Sequence, residues 1–223
     1  MNKPIISARN VHKIYHSGGV DTHALKGIDL DINQAEFVIL TGRNGSGKST
    51  LMHQLALLDK PEKGEIHIYD KEVTHLSEKQ RMQMRLLQLG YIFQEYALIA
   101  ELTALENVML PAMMKELGKQ AKIRATMLLD KVGLNGKHNR LPTQLSGGEQ
   151  QKVAIARALI NNPKIIFADE PTANLDTVAS KDVMNIFKTL NETEDITIVM
   201  VSHEPEELVY ASRHIILSDG RLK

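Results

Sequence analysis

The chain has no cysteine and no tryptophan, and only four phenylalanines and five tyrosines among 223 residues. Without thiols there is no disulfide framework, no thiolate nucleophile and no cysteine-ligated zinc or iron–sulfur centre. Excess charge is missing too: Lys+Arg and Asp+Glu both number 27. No global positive field draws this chain to nucleic acid or anionic lipid, so no nucleic-acid partner is expected. Long apolar runs are absent. The most apolar window, Tyr96 to Met114, is broken by Glu101, Glu106, Asn107 and Pro111, which argues against insertion into a membrane. The opening residues MNKPIISARNVHKIYHSGG lack the apolar stretch of a signal peptide, and a reducing cytoplasm fits. What is present is 43% hydrophobic residues, enough for the core of one large domain.

Short β-type runs recur at Glu36–Leu40, Glu65–Tyr69, Tyr91–Phe93, Lys164–Ala168, Ile196–Val201 and His214–Ser218. Three are almost continuously apolar, as buried parallel strands are. Helix-period stretches lie between them, which predicts an α/β fold with helices on both faces of a sheet. From about Leu102 to Ile160 only helix signals appear. Thr103-x-x-Glu106 and Ser146-x-x-Glu149 are capping boxes, and Gly133 follows an apolar-periodic run. This interval reads as a helical insertion, approximately residues 95–160, in a single domain spanning 1–223. Alternation in Gly27–Ile32 and Gly64–Tyr69 predicts a small antiparallel β-subdomain. His16 to Thr22 reads as a loop, and His12 and His16 as surface residues.

Gly42, Arg43, Asn44, Gly45, Ser46, Gly47, Lys48, Ser49 and Thr50 follow one apolar strand and precede a helical pattern through Leu51, Met52, Leu55 and Leu58. Glycines let successive N–H groups turn inward, and the helix start adds its positive dipole end, which together make a nest for phosphates. Lys48 neutralises the phosphates and Ser49 ligates Mg²⁺. The run Lys164–Pro171 is a second buried strand, ending in Asp169 and Glu170 at the edge where α/β sheets place ligands. Asp169 is expected to hold Mg²⁺, and Glu170, leaving the strand on the opposite side, to accept a proton from an attacking water. Leu145-Ser146-Gly147-Gly148-Glu149-Gln150 opens another helix, capped by Ser146. Its two glycines clear the approach to free N–H groups.

With these elements together the chain resembles the ABC-type ATPases over nearly its whole length. The resemblance implies a P-loop NTPase (RecA-like) core with ATP and Mg²⁺ as ligands. It also implies roles for further residues: Gln94 senses Mg²⁺ and the attacking water, Asp176 of Asn174-Leu-Asp176 lies on a loop crossing a dimer interface, His203 contacts the γ-phosphate, and Tyr15 stacks on adenine. No Asn-Lys-x-Asp guanine motif occurs. Within the family the chain looks like the lipoprotein-release and macrolide-export branch, through the loop after Tyr15, Leu89–Gln94, Leu102–Pro111, Ala168–Asp176 and Asp219–Arg221. It departs from that branch at Ala173, where Gly is usual, and at Ser202, where Thr is common.

The resemblance further implies a head-to-tail homodimer, each ATP held between the phosphate loop of one copy and the Ser146 helix start of the other. It implies a membrane permease partner of the FtsX or MacB kind, and so a cytoplasmic chain held peripherally on the membrane. A free-standing ABC ATPase with a soluble partner is the competing reading. Met82, Met84, Met109, Met113, Met114 and Met127 fall around the helical insertion. They either line a groove for a permease helix or fill the helical core.

Overall fold

A computed structural model describes residues 3–114 and 118–223. A six-stranded sheet forms the centre, built from β3 (Phe37–Thr41), β6 (Leu89–Ile92), β7 (Ile165–Asp169), β8 (Thr197–Val201), β9 (Arg213–Ser218) and β10 (Arg221–Leu222). Its order is β10-β9-β3-β8-β7-β6, with β10 antiparallel to β9 and every other pairing parallel. The apolar runs of β3, β7 and β8 are covered on both sides, and alternation sorts their side chains. Phe37, Ile39, Ile166, Ala168, Ile198 and Met200 join one core cluster, while Val38, Leu40, Ile165, Phe167, Val199 and Val201 join the other.

The first cluster is closed by α3 (Ala104–Met113), α4 (Gly118–Lys131), α5 (Gly147–Leu159) and α6 (Thr177–Glu194). The second is closed by α1 (Lys48–Leu55), α2 (Glu78–Gln88) and a four-stranded antiparallel sheet of β1 (Ile6–Ser17), β2 (Val20–Ile32), β4 (Lys63–Ile68) and β5 (Lys71–Glu72). Between β6 and β7 the described residues hold helices and no strand. Both capping boxes form: Thr103 with Glu106 opens α3, and Ser146 with Glu149 opens α5.

The segment after Tyr15 differs from its sequence reading. Residues 16–22 are not a loop but the closed end of the β1–β2 hairpin, where His16 pairs with Asp21, Tyr15 with Thr22 and Ser17 with Val20. Gly18 and Gly19, at φ 56° and 78°, make the two-residue turn, and positive φ at both positions matches the strand twist. His16 is exposed, as expected, while His12 is half-buried and bonded to Asn10.

Candidate nucleotide site

The parallel strands deliver their C-terminal ends to one edge. β3 ends at Thr41 and α1 starts at Lys48, so residues 42–47 turn the chain through a tight loop. Two glycines are required by space and by φ. At Gly42 (φ 144°) a Cβ would meet the Leu217 carbonyl oxygen at 2.2 Å, and at Gly47 (φ 104°) the Ala24 carbonyl oxygen at 2.6 Å. No side chain caps the start of α1, so its leading N–H groups are open to an anion. Lys48 is buried and folds back over the loop, its Nζ donating to the carbonyls of Gly42 at 3.0 Å and Arg43 at 3.1 Å. Burial lowers its pKa, and the nearby carboxylates of Glu170 and Asp169 only partly offset that. Ser46 is buried, whereas Arg43, Asn44 and Gly45 are exposed.

Asp169 closes β7. The Ser49 hydroxyl lies 3.4 Å from its Oδ1, and His53 Nε2 lies 3.8 Å from its Oδ2. Burial pushes the Asp169 carboxyl pKa up, with Glu170 adding to it and the basic groups opposing. A hydroxyl beside a buried carboxylate fits a hard divalent cation such as Mg²⁺. Sequence reading missed His53, although it stands four residues after Ser49 and so on the same helix face.

Glu170 is placed differently from the alternation argument. The strand stops at Asp169, and Glu170 takes a left-handed backbone at φ 44°, uncommon for a residue with a side chain. Its N–H donates to the Val201 carbonyl at 3.1 Å, and its Oε1 lies 2.9 Å from Nε2 of His203. The turn, not the pleat, aims this carboxylate at His203.

Gln94 follows β6 and is exposed; its carbonyl accepts from the Asn174 side-chain amide at 3.4 Å. Tyr96 and Ala97 are both left-handed, at φ 59° and 51°. Arg157 of α5 donates to both of their carbonyls, with 2.7 Å to Tyr96. It thereby ties the segment after Gln94 to the helix that Ser146 opens. Sequence reading passed over Arg157; the signal was an arginine inside the apolar run Val153-Ala-Ile-Ala-Arg-Ala-Leu159.

At the start of α5, Ser146 Oγ accepts from the Glu149 N–H at 3.3 Å, and the Glu149 carboxylate accepts from the Ser146 N–H at 3.1 Å while pairing with Lys137. A Cβ on Gly148 would stand 2.8 Å from Ala179 Cβ, and one on Gly147 would stand 3.0 Å from the Tyr96 hydroxyl. Asp176 caps α6, its Oδ1 accepting from the Ala179 N–H at 2.8 Å. Tyr15 lies on β1 and is 41% exposed. Its hydroxyl donates to Asp59 at 3.3 Å, and Lys13 Nζ sits 5.3 Å from the ring centroid.

A parallel sheet whose strand β3 runs through a glycine-turned loop into an uncapped helix start, beside Asp169 at the end of β7, places the chain in the P-loop class of folds. The chain belongs to the ABC transporter family, whose pattern matches residues 25–173. It is 53% identical over 219 residues to an uncharacterized ABC transporter ATP-binding protein, MJ1508, of Methanocaldococcus jannaschii, covering 98% of this chain and 97% of that protein. It is 46% identical over 219 residues to the lipoprotein-releasing system ATP-binding protein LolD of Aquifex aeolicus, covering 98% and 96%. The solved dimeric structure of the ATP-binding cassette MJ0796 in a post-hydrolysis state, bound to ADP and Pi, superposes with a TM-score of 0.91 at 40% identity, covering 98% of this chain and 96% of that one.

Proposed function

We propose that this chain is the ATP-hydrolysing subunit of a membrane transport or force-transmitting complex, working as a pair of copies closed over shared ATP. The 2.9 Å contact between His203 and Glu170, beside Lys48 and Asp169, is the observation that carries this reading. In it the triphosphate lies against the open N–H groups of residues 42–50, and Lys48 exchanges its two carbonyl partners for phosphate oxygens. Ser49 and Asp169, with Gln94 from the end of β6, would hold Mg²⁺, which would supply charge neutralisation at the phosphates. Tyr15 offers its exposed ring to the base. Glu170 accepts the proton of the attacking water, and His203 steadies the γ-phosphate.

One copy leaves the outer face of the γ-phosphate open, and phosphoryl transfer needs donors on every side. The Ser146, Gly147, Gly148 and Glu149 helix start of a second copy, with the loop before Asp176, supplies that face. The pairing accords with the dimeric cassette structures of MJ0796. ATP acts as the adhesive, and hydrolysis releases it. Per-subunit turnover should rise with protein concentration and collapse in Ser146→Ala. Full-speed turnover by a chain that sediments as a single copy, indifferent to Ser146→Ala, overturns the reading.

A permease partner is favoured over a soluble one by an apolar groove of about 430 Å³ between the sheet and the helical insertion, lined by Leu58, Met82, Leu89, Phe93, Pro111 and Met114 among others. Of the six methionines, Met82 and Met114 line the groove, Met109 packs against the helical core, Met84 is buried in the opposite core, and Met113 and Met127, both exposed, do neither. Among the described residues no helix is long and apolar enough to cross a membrane; it is the permease partner that, in this reading, holds the chain at the cytoplasmic face. Tagged chain that sediments with membranes and is released together with a permease by detergent supports this; recovery with a soluble partner alone supports the free-standing alternative.

A further inference from the structure

The segments that leave β7 and β8 are joined at two points. One is the half-exposed pair of Glu170 and His203, whose side chains are 24% and 34% exposed. The other is buried: the Thr172 hydroxyl donates to Oε1 of Glu207, and these residues are only 6% and 5% exposed. Thr172 stands two residues past Glu170, and Glu207 four residues past His203. Between these ties the second segment is held by local bonds, Glu204 N–H to Ser202 Oγ at 3.0 Å and Glu207 N–H to the Glu204 carbonyl at 3.1 Å.

Glu207 is a costly residue for this place. Its Oε2 is buried without a hydrogen-bond partner, and burying a carboxyl so poorly partnered opposes folding. The neighbouring cavity, between α6 and residues 204–210, adds two more carboxylates, Glu204 and Glu206, against one cation, Lys181. An apolar side chain would stabilise this spot better. What a carboxylate provides and an apolar group does not is a directional bond to Thr172.

We propose that Glu207 is a positioning residue. Through Thr172 it fixes the loop bearing His203 against the loop bearing Glu170, so that His203 Nε2 stays within reach of the carboxylate. Because Thr172 leads into Asn174–Asp176, with the Leu175 N–H bonded to the Thr172 carbonyl at 3.0 Å, the same tie connects the His203 loop to the segment that caps α6. This rests on the ATPase reading above for its catalytic consequence, but the mechanical tie does not depend on it.

The test is a cycle of Thr172→Val, Glu207→Leu and the double variant, with Thr172→Ser and Glu207→Gln as conservative controls. Each of the first two should lower kcat about tenfold with KM for ATP changed less than about twofold, the signature of lost positioning and not lost binding. The double variant should fall no further than either single one, and the conservative controls should restore turnover. Amide exchange across residues 203–206 should quicken about tenfold in Thr172→Val while the strands keep their protection. Folded Thr172→Val with unchanged kcat and unchanged exchange overturns the proposal, as do losses that multiply in the double variant. If Glu207→Leu does not fold, Thr172→Val decides alone. If the unaltered chain hydrolyses no ATP, the ATPase reading falls and the exchange measurement still decides the tie.

Discussion

Gly148, in the first turn of α5, faces Ala179, in the first turn of α6, so closely that a Cβ on the glycine would stand 2.8 Å from that of the alanine. The glycines after Ser146 thus have a packing role inside the chain as well as clearing space for a ligand. In an open helix Gly→Ala gains roughly 0.5–1 kcal/mol. Here the overlap is between two rigid positions, and overpacking of this kind costs about 1–3 kcal/mol. Gly148→Ala should therefore lower the urea midpoint, and by displacing the start of α5 it should also slow ATP turnover. Gly147→Ala, which meets only the end of the Tyr96 side chain at 3.0 Å, should be milder. Equal midpoints for Gly148→Ala and the unaltered chain would show that the two helices are not in this register.

The left-handed turn at Glu170 points its carboxylate at His203, and a glutamine keeps the shape while losing the capacity to take a proton. Glu170→Gln should bind MgATP and hydrolyse it at least about tenfold more slowly, the low end for loss of a general base being larger still. It should accumulate as an ATP-bound dimer on size exclusion. Rapid turnover by clean Glu170→Gln protein removes this carboxylate from the base role.

Lys48 holds two loop carbonyls at 3.0 and 3.1 Å. Lys48→Ala loses both the charge that meets the phosphates and the brace that shapes the loop. MgATP affinity should drop by at least about tenfold, or about 1.4 kcal/mol, in equilibrium titration. Unchanged affinity contradicts the phosphate-loop reading.

Much of this arrangement is legible along the chain because it is local. In Phe37–Leu40, Ile165–Ala168 and Ile198–Val201 a period of two assigns each side chain to one of two cores. Ser146 and Glu149 announce a helix start three residues apart. What was hidden depends on partners distant in sequence. β1 escapes notice because Arg9, His12, Lys13 and His16 interrupt its apolar positions and Asn10, left-handed at φ 48°, breaks its pairing with a bulge. Lys13 reads as a surface lysine until Asp59 and the Lys60 carbonyl are seen to hold it. The turn at Glu170 has no local mark at all, since nothing in Asp-Glu-Pro-Thr asks for positive φ; the neighbouring strand β8 imposes it through the Val201 carbonyl.

The Lys13–Asp59 pair beneath Tyr15 gives stability a defined pH window. Burial opposes the charge on Asp59, but the Lys13 ammonium, the Lys60 N–H and the Tyr15 hydroxyl outweigh it and hold the carboxyl below 3.8. Burial likewise opposes the charge on Lys13, and Asp59 with Glu62 outweighs it, raising the ammonium above 10.5. A lowered carboxyl pKa gives stability that is present above pH 3.8 and lost as pH falls through the folded value, and a raised ammonium gives stability present below pH 10.5 and lost above it. Lys13→Met should cost about 1–2 kcal/mol at pH 7, discounted for the partial exposure of Asp59. The difference from the unaltered chain should begin to narrow in urea titrations as pH falls below 3.8 and go on narrowing as it passes through the lower folded value, where Asp59 takes up its proton. A difference that stays constant would assign the loss to packing alone.

Met114 lines the apolar groove beside Leu58, Met82 and Phe93 and is 65% exposed, whereas Met127, 66% exposed on α4, lies outside it. Arg85 and Arg157 also line the groove, so a carboxylate there meets cations, and a docking apolar helix would have to bury charged groups in place of apolar surface, which costs free energy even when they are paired. Met114→Glu should therefore abolish recovery of the permease with tagged chain from detergent extract, while the isolated subunit hydrolyses ATP within about twofold of the unaltered rate, since Met114 is not among the side chains that contact Lys48, Asp169 or Glu170. Met127→Glu, with equal exposure and the same added charge, should leave recovery intact. Loss of the permease in both variants would point to net charge instead of the groove, and loss in neither would move the docking surface elsewhere on the chain.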